Sequence, residues 1–141
     1  MKRIFAVLLT LAVLALGGCS GGGGAIDENF RDRVEPVAEN ILQSIKNADR
    51  EGLLKDMDEK MQGTFTEDAF VEMRSLLDSK VGTYKSKEFW KAEKSGQYSI
   101  AYYKAKFDKE EDYVVVKVVT SEKDGQLYVS GLFFDSPNLR K

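Results

Sequence analysis

Gly82 divides this chain into two halves that follow different periods. Before it, apolar residues recur at spacings of three and four. After it, they recur at every second residue. A period near 3.6 buries one stripe of a helix and a period of two buries one face of a strand, so a chain that switches once specifies helices first and strands second. Phe30, Val34, Val37, Ala38, Ile41, Leu42, Ile45 and Ala48 form the first stripe, with Asp27 as candidate N-cap. Pro36 falls inside it, where proline either kinks a helix or marks its true first turn. Leu53, Leu54, Met57 and Met61 predict a short second helix opening near Asp49 and broken at Gly63. Thr64 and Thr66, followed by Glu67 and Asp68, open a third that carries Ala69, Phe70, Met73, Leu76, Leu77 and Val81 on one face, with Gly82 as its stop.

The second half holds eleven of the fourteen aromatic residues found beyond residue 18. Four strand-like runs are predicted at Thr83–Lys94, Gln97–Phe107, Asp112–Glu122 and Gln126–Asp135. The breaks are Ser95-Gly96, the charged Asp108–Glu111 and Lys123-Asp124-Gly125. Short breaks join antiparallel neighbours, and Asp-Gly is the strongest hairpin signal of the three. The expected fold class is therefore α+β, with three N-terminal helices packed on a curved four-stranded antiparallel meander. A single domain is expected over residues 27–135, with 136–141 as a short tail.

Lysines mark the wet face of a half-buried sheet. Lys104 and Lys106 send Ala101, Tyr103, Ala105 and Phe107 inward on the second strand. Lys117 does the same for Val114, Val116 and Val118 on the third. On the first, strict alternation from Lys85, Lys87 and Lys91 sends Tyr84, Ser86, Glu88, Trp90 and Ala92 inward. Leu127, Val129 and Phe133 compete with Leu132 and Phe134 on the fourth, and Gly131 is a candidate bulge that switches faces. Two site hypotheses follow. Glu88, desolvated beside the pocket candidates Tyr84, Trp90, Tyr103 and Phe107, would be a weak candidate for a proton-transfer residue. Tyr98, Tyr102 and Tyr113 would stand on the wet face as interface residues for a homodimer or a docked partner.

At the other end, Lys2 and Arg3 precede a thirteen-residue apolar run, Ile4–Leu16. That is short for a membrane span and suits a secretory signal peptide over residues 1–18. Leu16-Gly17-Gly18-Cys19 resembles the lipobox of bacterial-type lipoproteins. The resemblance implies acylation (palmitate) of Cys19, a Gly-rich tether over residues 19–26, and an exported protein lipid-anchored to the cell envelope. The membrane would be the outer one where the cell has one, since Ser20 is not the aspartate linked to inner-membrane retention, and otherwise the outer face of the plasma membrane.

Without residues 1–18 the chain carries nineteen basic and twenty-three acidic residues. A mildly acidic balance argues against a nucleic-acid partner and against a polybasic membrane signal. The chain has no histidine and one cysteine, which rules out Ser-His-Asp triads, Cys-His pairs and histidine- or thiolate-rich zinc sites. No cofactor and no metal are expected. The Asp108–Asp112 run lacks the glycine and closing glutamate of a calcium loop.

"VGTYKS" after the third helix, "YSIAYYKAKF" and the closing "GLFF" resemble a family of small domains of unknown function, found as lipoproteins or beside envelope and hydrolase domains. More broadly the helix-then-meander order is similar to the nuclear transport factor 2-like superfamily, with its cone-shaped, ketosteroid isomerase-like folds. A cystatin-like arrangement is the alternative. The resemblance implies a non-catalytic domain that binds a small apolar ligand in the cone or an envelope protein. Its enzymatic alternative is an isomerase or hydratase using Glu88.

Overall fold

The computed structural model describes residues 26–141. The expected signal peptide at 1–18, the expected acylation site Cys19 and all but the last residue of the expected 19–26 tether lie outside the described residues. Within them the order is four helices, α1 (Phe30–Lys46), α2 (Arg50–Leu54), α3 (Glu59–Thr64) and α4 (Glu67–Lys80), then four strands, β1 (Tyr84–Ser95), β2 (Tyr98–Phe107), β3 (Val114–Lys123) and β4 (Gln126–Asp135). The strands form one antiparallel sheet in the order β1-β2-β3-β4. The α+β class and the meander are as the periodicity predicts. No helix of the described residues is long and apolar enough to cross a membrane.

The helices differ from expectation in number. The second apolar run is split because residues 56–58 are drawn onto the sheet: Val129 donates its N–H to the Asp56 carbonyl at 2.7 Å, and Asp58 donates to the Val129 carbonyl at 3.0 Å. Each flanking helix is then capped separately. The Asp49 carboxylate accepts from Gly52 N, and the Asp58 carboxylate accepts from Met61 N. Thr66 caps α4 in the same way, accepting from Ala69 N. Helix α1 begins at Phe30 and runs straight through Pro36, whose ring is on the exposed side.

One apolar core lies between the helices and the inner face of the sheet. Phe30, Val34, Ala38, Ile41, Leu42 and Ile45 of α1 meet Ala101, Tyr103, Ala105 and Phe107 of β2 and Val114, Val116 and Val118 of β3. Two hairpins are tight. Gly96 (φ 57°) turns β1 into β2, and Asp124 and Gly125, at φ 53° and 77°, join β3 to β4, the pair of left-handed residues that a two-residue hairpin turn requires.

Bulges decide which side chains face in. In β1 the register slips at Lys85 and again at Trp90, giving the pairs Tyr84–Phe107, Lys87–Ala105, Phe89–Tyr103 and Ala92–Ala101 on the inner face. Each extra residue inverts the alternation. Between the two slips the expected faces are therefore exchanged: Ser86 and Glu88 point out, and Lys87 and Phe89 point in. In β4 one further slip lies opposite Val119 and Thr120. It puts Leu127 and Val129 inward before it and Leu132 and Phe134 inward after it, leaving Phe133 outside. The competing sets on the fourth strand are both inward because the strand changes face between them.

Candidate functional site

The interior holds a knot of charge where β1 faces α1. Glu35 and Glu39 stand one turn apart on α1, and Lys87 reaches up between them. The Lys87 ammonium binds the Glu35 carboxylate and approaches Glu39 at 3.4 Å, with the lysine side chain only 6% exposed and each glutamate 42%. Tyr84 donates to Glu39 at 3.0 Å, Tyr103 donates to Glu35 at 3.2 Å, and Gln43 donates to Glu39 at 3.0 Å. The Lys87 ammonium also lies 5.1 Å from the centre of the Tyr103 ring. Burial, then the hydrogen bond to Glu39 and the glutamate charges, pushes the Tyr84 hydroxyl far above the usual phenol range. Burial and the charge of Glu35 do the same to Tyr103. Burial works to raise Glu39, but Gln43, Tyr84 and Lys87 outweigh it and hold the carboxyl below its ordinary value. Every hydrogen-bonding group here is taken by another, so the knot ties α1 to the sheet.

Strict alternation hid these residues. Lys87 reads as a wet-face lysine until the bulge at Lys85 is known. Glu35 and Glu39 flank the apolar stripe at a spacing of four, a legible sign of one helix edge but not of what it meets. Glu88 is the corresponding correction. It lies exposed on the outer face opposite Lys104, where nothing desolvates it. Trp90 is likewise outside, 46% exposed, whereas Tyr84, Tyr103 and Phe107 are buried at 4%, 0% and 4%. Those three pack the core between α1 and the sheet. A cleft of about 250 Å³ lies beside it, between the ends of α1 and α4 and the start of β1, and Tyr84 and Phe107 line it along with Arg74 and Lys109.

The outer face of the sheet is built differently. Trp90, Tyr98, Tyr113 and Phe133 are its large exposed rings, with the half-buried Tyr102 at its centre. Trp90 and Tyr102 meet edge to face with centroids 6.2 Å apart. Lysines interleave with the rings: Lys91 lies 4.7 Å from both Trp90 and Tyr102, Lys104 lies 4.9 Å from Trp90, Lys106 lies 4.1 Å from Tyr113, and Lys117 lies 5.3 Å from Phe133. Such contacts hold the lysine stems flat along apolar surface with their charges at its rim. The Tyr102 hydroxyl is spent on Glu93 at 2.5 Å, a hydrogen bond that raises its pKa. The expected interface residues Tyr98, Tyr102 and Tyr113 are together on this face. Trp90, Phe133 and the four lysines complete it. No helix of the described residues covers it.

Comparison with known proteins agrees with the narrower of the two resemblances. No curated protein matches the chain. A solved structure, that of Bd1075 from Bdellovibrio bacteriovorus, is similar over 76% of this chain and 41% of that one, with 17% identity and a TM-score of 0.46. The present chain thus spans less than half of that protein's length. A family model described as protein of unknown function, DUF3887, matches residues 38–125, from the middle of α1 to the β3–β4 turn. The match takes in more than half of the sequence, and the chain belongs to the DUF3887 family.

Proposed function

We propose that this chain is the non-catalytic binding domain of an exported, lipid-anchored cell-envelope protein, and that it binds through the outer face of its sheet. One observation carries the reading. Four large aromatic side chains between 37% and 56% exposed lie on a single sheet face, interleaved with lysines and left uncovered. Large exposed rings gathered on one face mark an interaction site. The apolar core packed beneath α1 supports it by weighing against a ligand held there, and the solvated Glu88 leaves the enzymatic alternative without its carboxylate. The fold itself we read as nuclear transport factor 2-like, on the helix-then-meander order. Export and acylation of Cys19 rest on the leader-like residues 1–18.

Photo-crosslinking in cells tests the binding surface. A photoreactive residue at Phe133 should give discrete crosslinked species, and the same residue at Ser75, exposed on α4, should give none. A product of twice the chain mass identifies a second copy as the partner. Equal labelling at both positions, or no crosslink at Phe133 to either protein or lipid, refutes the surface.

A further inference from the structure

The chain is acidic as a whole, but its charge is not evenly spread. The helical half, residues 27–82, has fourteen acidic and eight basic residues, whereas residues 83–141 have eleven basic and nine acidic. On the outer face the lysines outnumber the acids. Lys91, Lys104, Lys106 and Lys117 surround the exposed rings, and Glu88, Glu93 and Asp135 are the acids that share their strands' outward positions. Glu88 is paired opposite Lys104 in the register, and Asp135 is held by Arg140 at 2.5 Å. The result is a broad face of tryptophan, tyrosine and phenylalanine rimmed by ammonium groups, backed by an acidic layer of helices. That combination suits the boundary between lipid headgroups and acyl chains, where amphipathic rings sit at headgroup level and lysines meet anionic phosphates.

We propose that the outer face docks on an anionic lipid bilayer, so that the sheet lies against the membrane and the helices face away from it. The proposal rests on the reading of this face as the binding surface and names its occupant. Three arguments favour a bilayer. Its surface is extended and negative, matching a broad face whose lysines are spread among rings instead of gathered in one cleft. The acidic helical half is repelled by the same surface, which fixes orientation. A second copy, by contrast, would set these four lysines against their own equivalents. Reach also allows it: Cys19 stands eleven residues before Phe30, a span of at most about 40 Å, so an acylated Cys19 keeps the face close to the bilayer.

Trp90 is the only tryptophan of the chain and stands on this face, so its fluorescence reports docking whatever holds the N-terminus. The experiment adds phosphatidylcholine vesicles, with or without about one phosphatidylglycerol in three lipids, to the full chain. With phosphatidylglycerol, Trp90 emission should shift to the blue and be quenched by brominated acyl chains, and salt should reverse both effects. Lys104→Gln with Lys117→Gln should weaken vesicle binding by about 10- to 30-fold, at about fivefold for each lysine near the surface. The salt and lipid dependence of the unmodified chain makes the test independent of how that variant folds. An unmoved Trp90 spectrum overturns the proposal, as does an equal response to phosphatidylcholine alone. A response to soluble alginate without quenching by brominated lipid also overturns it and assigns the face to an anionic glycan. A concentration-dependent shift without vesicles assigns it to a second copy. If Trp90 ignores lipid while Phe133 crosslinks to a protein, the binding surface stands and only its lipid occupant fails.

Discussion

Lys87 ties helix α1 to strand β1 through Glu35 and Glu39. Its ammonium is buried, yet both partner carboxylates are 42% exposed, so solvent already screens part of the attraction. Lys87→Ala should therefore cost about 1–2 kcal/mol in urea unfolding, less than for a fully buried pair. Lys87→Met keeps the packing against Tyr103 and should cost less. The tyrosines of the knot give a sharper signature in pH. Tyr84 and Tyr103 have folded pKa values raised above the unfolded phenol, so the stability they contribute is complete below about pH 10 and is lost as pH rises through their folded values. Ultraviolet titration of the chain's six tyrosines should show these two ionising late, together with alkaline unfolding. Tyr84→Phe should remove part of that alkaline loss. Glu39 acts in the opposite sense. Its lowered pKa contributes stability above the ordinary carboxylate value that is lost as pH falls through the folded one, and Glu39→Gln should flatten the acid limb of stability against pH.

Among the elements, the end of α4 is the junction that fixes where the sheet begins. Val81 and Gly82 both donate to the Leu77 carbonyl at 2.8 Å, and Gly82 takes φ 85°, the left-handed turn that ends many helices. The next amide, Thr83, donates to the Asp108 carboxylate at 2.9 Å. A Cβ on Gly82 would collide with that carboxylate and with Lys109. Gly82→Ala should accordingly destabilise the domain by at least about 1 kcal/mol from backbone strain alone, read as a lowered urea midpoint with an unchanged slope. Phe133→Ser, on the exposed face, should leave that midpoint within about 0.5 kcal/mol of the original, which separates a binding role from a packing one.

At the scale of the whole molecule, the last residues belong to the body of the domain. Glu110, in the β2–β3 loop, accepts from Asn138 N at 3.0 Å and from Asp112 N at 3.3 Å. Lys80 of α4 donates to the Lys141 carbonyl at 2.9 Å. Residues 136–141, expected as a tail, are thus tied to both halves of the chain. Glu110→Ala should release them, which hydrogen exchange at Asn138 and Leu139 would record as lost protection with the sheet amides unchanged.

The single change of period at Gly82, the turn residues and the caps were enough to determine helices before strands, a four-stranded meander and most strand limits, because these are local properties of spacing and backbone preference. Membership of a family of unknown function was also legible, in the short motifs around Gly82 and along the second strand. The faces of β1 were not. Two bulges, at Lys85 and Trp90, exchange inside for outside between them. A bulge arises from pairing with β2 and packing under α1, and its one mark on spacing within β1 is Phe89, an apolar residue where strict alternation points outward. That exchange alone took Glu88 out of the interior, put Lys87 between Glu35 and Glu39, and brought Trp90 to the outer face beside Tyr102. Alternation already placed Lys91, Lys104, Lys106 and Lys117 outward, and the exchange withdrew Lys87 from that group. Net charge is a sum over the sequence, whereas a charged surface is a selection from it that only the tertiary structure makes.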